Sequence, residues 1–159
     1  DSAKINHPYL TAIRRTRLSA PARYLLQHGL LKGRILDFGC GLGFDTDELR
    51  RQELDVTGYD CYYRPEYPEG KFDTIMCIYV LNVLELYAQA EVMMDINHLL
   101  APHGTVYFAV RRDLTKEGSV FILFIENTPI NVMSDCLIQV WFAIQGLSCI
   151  GVNIKNVAC

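Results

Sequence analysis

Apolar residues along this chain recur in two patterns. Across residues 9–29, Leu10, Ile13, Leu18, Ala22, Leu25 and Leu26 return at near-helical spacing, which predicts one or two helices. Ser19 before Ala20 and Pro21 reads as an N-cap with proline in the first turn, and Gly29 reads as the stop. The second pattern is the short continuous apolar run, in residues 34–38, 55–59, 72–80 and 105–110. Such runs predict strands buried on both faces. Helical patterns separate them at residues 44–51 and 86–100, the second closed by Ala101, Pro102, His103 and Gly104. Strands alternating with helices predict an α/β fold with a mostly parallel sheet and helices on its faces.

The connection from Asp60 to Phe72 modifies that picture. A doubly wound sheet would place a helix, a strand and another helix there, but only eleven residues are available. One crossover alone uses about 10–12 residues. Eleven extended residues reach roughly 36 Å. That suffices to pass one intervening strand and return along a strand of roughly 17 Å. The expectation is a reduced sheet that lacks one outer strand on this side.

From Ser119 onward the composition shifts. Residues 119–159 hold one of the 15 Lys and Arg residues, two of the 18 acids, none of the nine tyrosines and the sole tryptophan, Trp141. Residues 120–125 and 147–154 are strand candidates, and 132–144 is apolar almost all round. The expected organisation is a helical cover over 1–33, an α/β core over 34–118 and an atypical tail over 119–159, either part of the same domain or poorly ordered.

Composition narrows the function classes. The chain has 159 residues, half of them hydrophobic and 21% charged, the balance of a globular domain. Its net charge of −3 gives no global attraction to nucleic acid. The start has no apolar signal segment, and no long apolar run predicts a membrane span, so a cytoplasmic protein is expected. The first residue is not Met, which fits a processed or incomplete start. Six cysteines include no CxxC pair, and the four histidines are scattered, so free thiols and no metal are expected.

The candidate chemistry centres on Asp37, Phe38, Gly39, Cys40, Gly41, Leu42 and Gly43, where a strand runs through a glycine turn into a helix. Glycines allow positive φ and let a ligand lie against the backbone, with free N–H groups at the helix start facing it. A dinucleotide would fit the same unit in principle. Phe44, however, stands at the sixth place of G-x-G-x-x-G, and no G-K-[ST] follows. Asp45, Asp47 and Glu48 suit the helix dipole but would repel a pyrophosphate. An acid-rich pocket suits S-adenosylmethionine, which carries a sulfonium, an ammonium and one carboxylate. Asp37 would sit near the ammonium. Asp60, 21 positions after Gly39, stands where a carboxylate can accept both ribose hydroxyl protons. An NAD-linked oxidoreductase is the less favoured reading.

LDFGCGLGFD, the acid of VTGYD, and FDTIMCIYVLNVLE resemble the class I S-adenosylmethionine-dependent methyltransferases. Over residues 12–85, AIRRTRLSAPARYLLQHGLL, GYDCYYRPEYP and YVLNVLE further resemble methyltransferases associated with DNA phosphorothioation. The resemblance implies a three-layer Rossmann-like sandwich and a methyltransferase with S-adenosylmethionine as cofactor. It implies that Asp37, Phe38, Gly39, Cys40, Gly41 and Gly43 line the methionine end. Asp60 would meet the ribose, and Tyr79, Val80, Leu81 and Asn82 would lie where cofactor meets substrate. Asn82 is the candidate for touching the acceptor, its alternative role being a strand-end cap. The family's adenine-binding acid follows a third strand that is missing here, and Tyr62, Tyr63 or Tyr67 is the candidate cover for the adenine.

Methyl transfer from a sulfonium depends mainly on alignment, so no catalytic residue is singled out. Glu85 reads as a helix-start acid and Tyr79 as a packing or adenosyl contact. Arg14, Arg15, Arg17 and Arg23 read as a solvated helix face, with phosphate binding the alternative. The expected partner is an unknown acceptor, a small molecule or a nucleic acid, with no membrane and no metal. The rival function is an inactive binding or interaction module, a truncated or frame-shifted copy. Codons for residues 126–154 read one base displaced can give a charged, tyrosine-containing stretch.

Overall fold

A computed structural model of the chain describes residues 8–111, 119–126 and 154–158. After a 3-10 turn at Pro8–Thr11 come α1 (Ala20–Gln27), β1 (Ile35–Phe38), α2 (Phe44–Arg51) and β2 (Val56–Tyr59). β3 (Phe72–Ile78), a 3-10 turn at Leu81–Val83, α3 (Leu86–Leu99), β4 (Leu100–Arg111), β5 (Ser119–Glu126) and β6 (Ile154–Ala158) follow. The sheet order is β2-β1-β3-β4-β5-β6. The first four strands are parallel, and β5 pairs antiparallel with both β4 and β6.

The sheet is covered on both faces, because its strands alternate buried side chains between two cores. Leu36, Ile75, Cys77, Val106 and Phe108 meet Met93, Ile96 and Leu99 of α3. Ile35, Met76, Tyr107 and Ala109 meet Ala22 and Leu25 of α1 and Leu49 of α2. This is the expected three-layer α/β sandwich. The short apolar runs have no polar face because both of their faces are inside.

Local chemistry sets the element ends. Ser19 Oγ accepts the Ala22 N–H at 3.3 Å and so caps α1. Gly29, at φ +63°, lets Leu30 N–H return to Leu25 O at 2.9 Å. The predicted helix over 9–29 is thus confined to α1. Arg14, Arg15 and Arg17 lie in a non-helical stretch rather than on a helix face, and only Arg23 is in α1. β3 stops two residues earlier than expected, because Tyr79 takes φ +59°. That conformation costs a non-glycine residue about 1–2 kcal/mol.

The start of β4 also departs from expectation. Ala101, Pro102, His103 and Gly104 are absorbed into the strand rather than forming a separate turn. The pairing jumps from Phe72 opposite Leu100 to Thr74 opposite Thr105, so the extra residues bulge out, with His103 at φ +62°.

Among the described strands β2 is the border, in line with the short Asp60–Phe72 connection. That connection holds a tight turn in which Asp60 and Arg64 exchange backbone hydrogen bonds of 3.1 and 3.0 Å. It then runs along α3. Tyr67 packs edge-on against Tyr59 with centroids 5.4 Å apart and donates to Asp95 at 3.0 Å. Lys71 Nζ donates to His98 O. On the border itself, Arg50 Nε of α2 donates to Val56 O at 2.6 Å.

Within the tail, the strand expected over 120–125 is present as β5. The candidates at 132–144 and 147–153 lie outside the described residues. No described helix is long and apolar enough to cross a membrane.

Candidate functional site

The C-terminal ends of β1, β2 and β3 open into one cavity of about 570 Å³. β1 supplies Asp37 and Phe38, and the turn after it supplies Gly39, Cys40, Gly41 and Gly43. Asp60 follows β2; Tyr79 and Val80 follow β3; Asn82 comes from the 3-10 turn. Tyr62 and Tyr63 line the same space, whereas two further candidates from the sequence, Tyr67 and Leu81, do not.

The glycine turn has physical reasons for its composition. Gly39 has φ +76°, and a Cβ there would run into the Val80 side chain. The ends of β1 and β3 can approach this closely only without a side chain at that position. Gly43, at φ +83°, is the N-cap of α2, and a Cβ there would strike the Arg64 guanidinium. That guanidinium makes a two-pronged contact with Asp47 at 3.0 and 2.6 Å and reaches Leu42 O at 3.4 Å. Arg64 thus clamps the turn from outside. Its sequence neighbours gave no sign of this, because the contact spans 17 residues.

The acids at the start of α2 divide into different roles. Asp47 is taken by Arg64, and Glu48 pairs with Arg51 at 2.6 Å. Asp45 borders the cavity but also accepts from Ser19 N and Oγ at 2.8 and 2.6 Å, fastening α1 to α2. The acid-rich character expected of this helix start is therefore carried at the cavity by Asp45, together with Asp37 and Asp60.

Asp37 is buried and accepts from Thr46 Oγ1 at 2.7 Å. Its pKa is raised from 3.8 to about 7, first by loss of water and next by the Asp45 charge. The Thr46 hydrogen bond and Arg64 pull it down, while Asp60 pushes it up. A group with its carboxylate held this reluctantly favours a cationic neighbour. The Cys40 thiol is pushed up to about 12, chiefly by burial and then by Asp37, which makes it a packing group rather than a nucleophile.

Asp60 carries much of the local architecture. Its Oδ1 accepts from Tyr62 N and Tyr63 N, both at 2.9 Å, and Oδ2 accepts from Gly41 N at 3.0 Å. A carboxylate has about four acceptor directions. One remains, on Oδ2, in place of the two foreseen for a pair of hydroxyls. Among the described residues Asn82 Oδ1 is buried without a hydrogen-bond partner, so this wall of the cavity presents an open demand for an N–H or O–H donor.

Of the remaining walls the sequence had offered only Arg15, in the phosphate-binding alternative. Thr11, Ala12, Ile13 and Arg15 close one side, with the Arg15 guanidinium 5.9 Å from the Tyr79 ring centroid. Arg14 and Arg17 are exposed, so the basic run splits, and only Arg15 joins the site. On the other side α3 contributes Ala88, Glu91, Val92 and Asp95. Their three- and four-residue spacing was the available signal for one helix stripe. Glu85 is the N-cap of α3 but makes no side-chain cap hydrogen bond. Among the described residues, no group of three or more His, Cys, Asp or Glu residues is placed to hold a metal ion.

A family model described as a methyltransferase domain matches residues 10–150. Among solved structures, the glycopeptide N-methyltransferase MtfA complexed with S-adenosyl-L-homocysteine is 15% identical, with a TM-score of 0.50. The match covers 69% of this chain and 59% of that one, and it shows likeness of fold. The 1,6-didemethyltoxoflavin-N1-methyltransferase of Burkholderia thailandensis is 22% identical, with a TM-score of 0.49 and coverage of 67% and 56%. The magnesium protoporphyrin IX methyltransferase of Synechocystis PCC 6803 is 18% identical, with a TM-score of 0.47 and coverage of 59% and 54%. The chain thus spans 54–59% of the length of these three structures. A search of curated proteins finds no match.

Proposed function

The chain belongs to the methyltransferase domain family, and on that premise we propose that its cavity binds S-adenosylmethionine and transfers the methyl group to an acceptor yet to be identified. The observation that carries this reading is the convergence of the Gly39–Gly43 turn, Asp37 and Asp60 on one cavity. The residues fit the cofactor on independent grounds. Gly39, Gly41 and Gly43 supply the positive φ angles that wrap the turn around the cavity, the buried Asp37 favours a cation, and Asp60 keeps one acceptor direction for a ribose hydroxyl. When bound, the cofactor supplies an electrophilic methyl on a sulfonium.

The chain's own part is orientation and exclusion of water. Asp37 holds the ammonium end, and the glycine turn lets the ligand lie on backbone. Asn82 offers its unpartnered oxygen to an acceptor N–H or O–H, aligning the nucleophile with the methyl. Tyr79, fixed by its N–H bond to Ala109 O at 2.8 Å and covered by Arg15, borders the place where the two meet. No described side chain has to act as a base, since the proton demand depends on the acceptor.

The closer kinship with phosphorothioation-associated methyltransferases and a cytoplasmic location belong to the same proposal. Both rest on the residues alone. Calorimetry with S-adenosylmethionine and S-adenosylhomocysteine, with NAD as control, tests the reading. Micromolar binding that Asp37→Ala and Asp60→Ala abolish is expected. A folded chain that binds neither ligand would overturn it.

A further inference from the structure

We infer that helix α3 reads the base end of the bound nucleoside, with Asp95 as the carboxylate that accepts the exocyclic amino group of adenine. This rests on the reading of the cavity as an S-adenosylmethionine site.

Asp60 anchors the ribose end. Its one open acceptor direction on Oδ2 places the ribose beside it, and a base joined to that ribose must lie within a few ångströms. The glycine turn occupies one side of Asp60. The turn after β2 and helix α3 line the same cavity. On α3, Ala88 and Val92 contribute apolar side chains to the cavity lining, as suits a heterocycle. Asp95 stands one turn beyond Val92 on the same stripe.

Asp95 is also prepared to accept. It is half-buried, and Oδ1 accepts from the Tyr67 hydroxyl at 3.0 Å, while Oδ2 has no hydrogen bond among the described residues. Tyr67 in turn packs against Tyr59, the residue before Asp60. The Tyr59 hydroxyl is pushed up first by burial, then by Cys61, Asp95 and Asp60, which places both carboxylates around one ring. A single arrangement thus ties the ribose acid to the base acid. A 6-amino group donates to such a carboxylate. A 6-oxo group would set oxygen against oxygen, and a charged acceptor strengthens both the preference and the penalty.

The test compares S-adenosylhomocysteine with S-inosylhomocysteine by calorimetry on the full chain. The amino ligand should bind roughly tenfold tighter or more. Asp95→Asn, whose amide can turn either its oxygen or its NH₂ to the ligand, should bring the ratio close to one. Tyr67→Phe, an exposed change that frees Asp95 to reorient, should lower the ratio partway. Equal binding of both ligands by the unmodified chain, or an undiminished ratio in Asp95→Asn, overturns the inference and leaves the proposed function standing. Failure of a folded chain to bind either ligand sinks both together.

Discussion

Asp37 shows what one residue contributes when its surroundings oppose its charge. The folded chain holds its proton up to about pH 7, against 3.8 for the ordinary carboxyl. The stabilisation from that retained proton is present below about pH 4 and is lost as pH rises through about 7. A ligand ammonium reverses the preference, because it interacts best with the ionised form. Affinity for S-adenosylhomocysteine should therefore climb about tenfold per pH unit below 7 and level off above it. Asp37→Asn should bind weakly with a flat profile, and calorimetry from about pH 5.5 to about 8 checks both. The sequence disclosed Asp37 and the glycines because their signal is local: a strand, a turn and a helix within nine positions. It did not disclose Thr46 as the Asp37 partner or Asp95 at the far wall. Those relations exist only once α2 and α3 are docked on the sheet.

At the level of elements, the apolar runs placed β1, β2 and β3 well, since strands buried on both faces leave a continuous signature. The start of β4 was illegible for a physical reason. Pro102, His103 and Gly104 have the chemistry of a turn, and here that chemistry serves a bulge inside a strand. The β2–β3 connection was legible in its length but not in its attachments. Arg64 fastens it to α2 across a surface on which both partners are partly exposed. Such a pair adds about 0–1 kcal/mol to stability. Arg64→Ala should therefore shift the melting temperature by only a few degrees. Ligand affinity should fall by about two- to tenfold, because the turn over Gly43 loses its clamp. Thermal melting and calorimetry on the same variant separate the two effects.

The whole molecule is a sheet held between two cores, and Phe108 of β4 is central to one of them. Phe108→Ala should cost about 3–5 kcal/mol in urea unfolding, enough to consume much of a domain's margin. This outcome follows from burial alone, whereas beyond Glu126 the sequence offered only a strand candidate at 147–154 and an apolar stretch at 132–144. Ending the sheet at β2 has a further consequence. A strand that would have been flanked on both sides becomes a coastline, where unpaired backbone invites a second chain to add itself. Two features make it a poor landing site. β2 is only four residues long, and Arg50 reaches over from α2 to occupy the Val56 carbonyl with a charged side chain. A chain that dispenses with an outer strand thereby guards the border it has exposed.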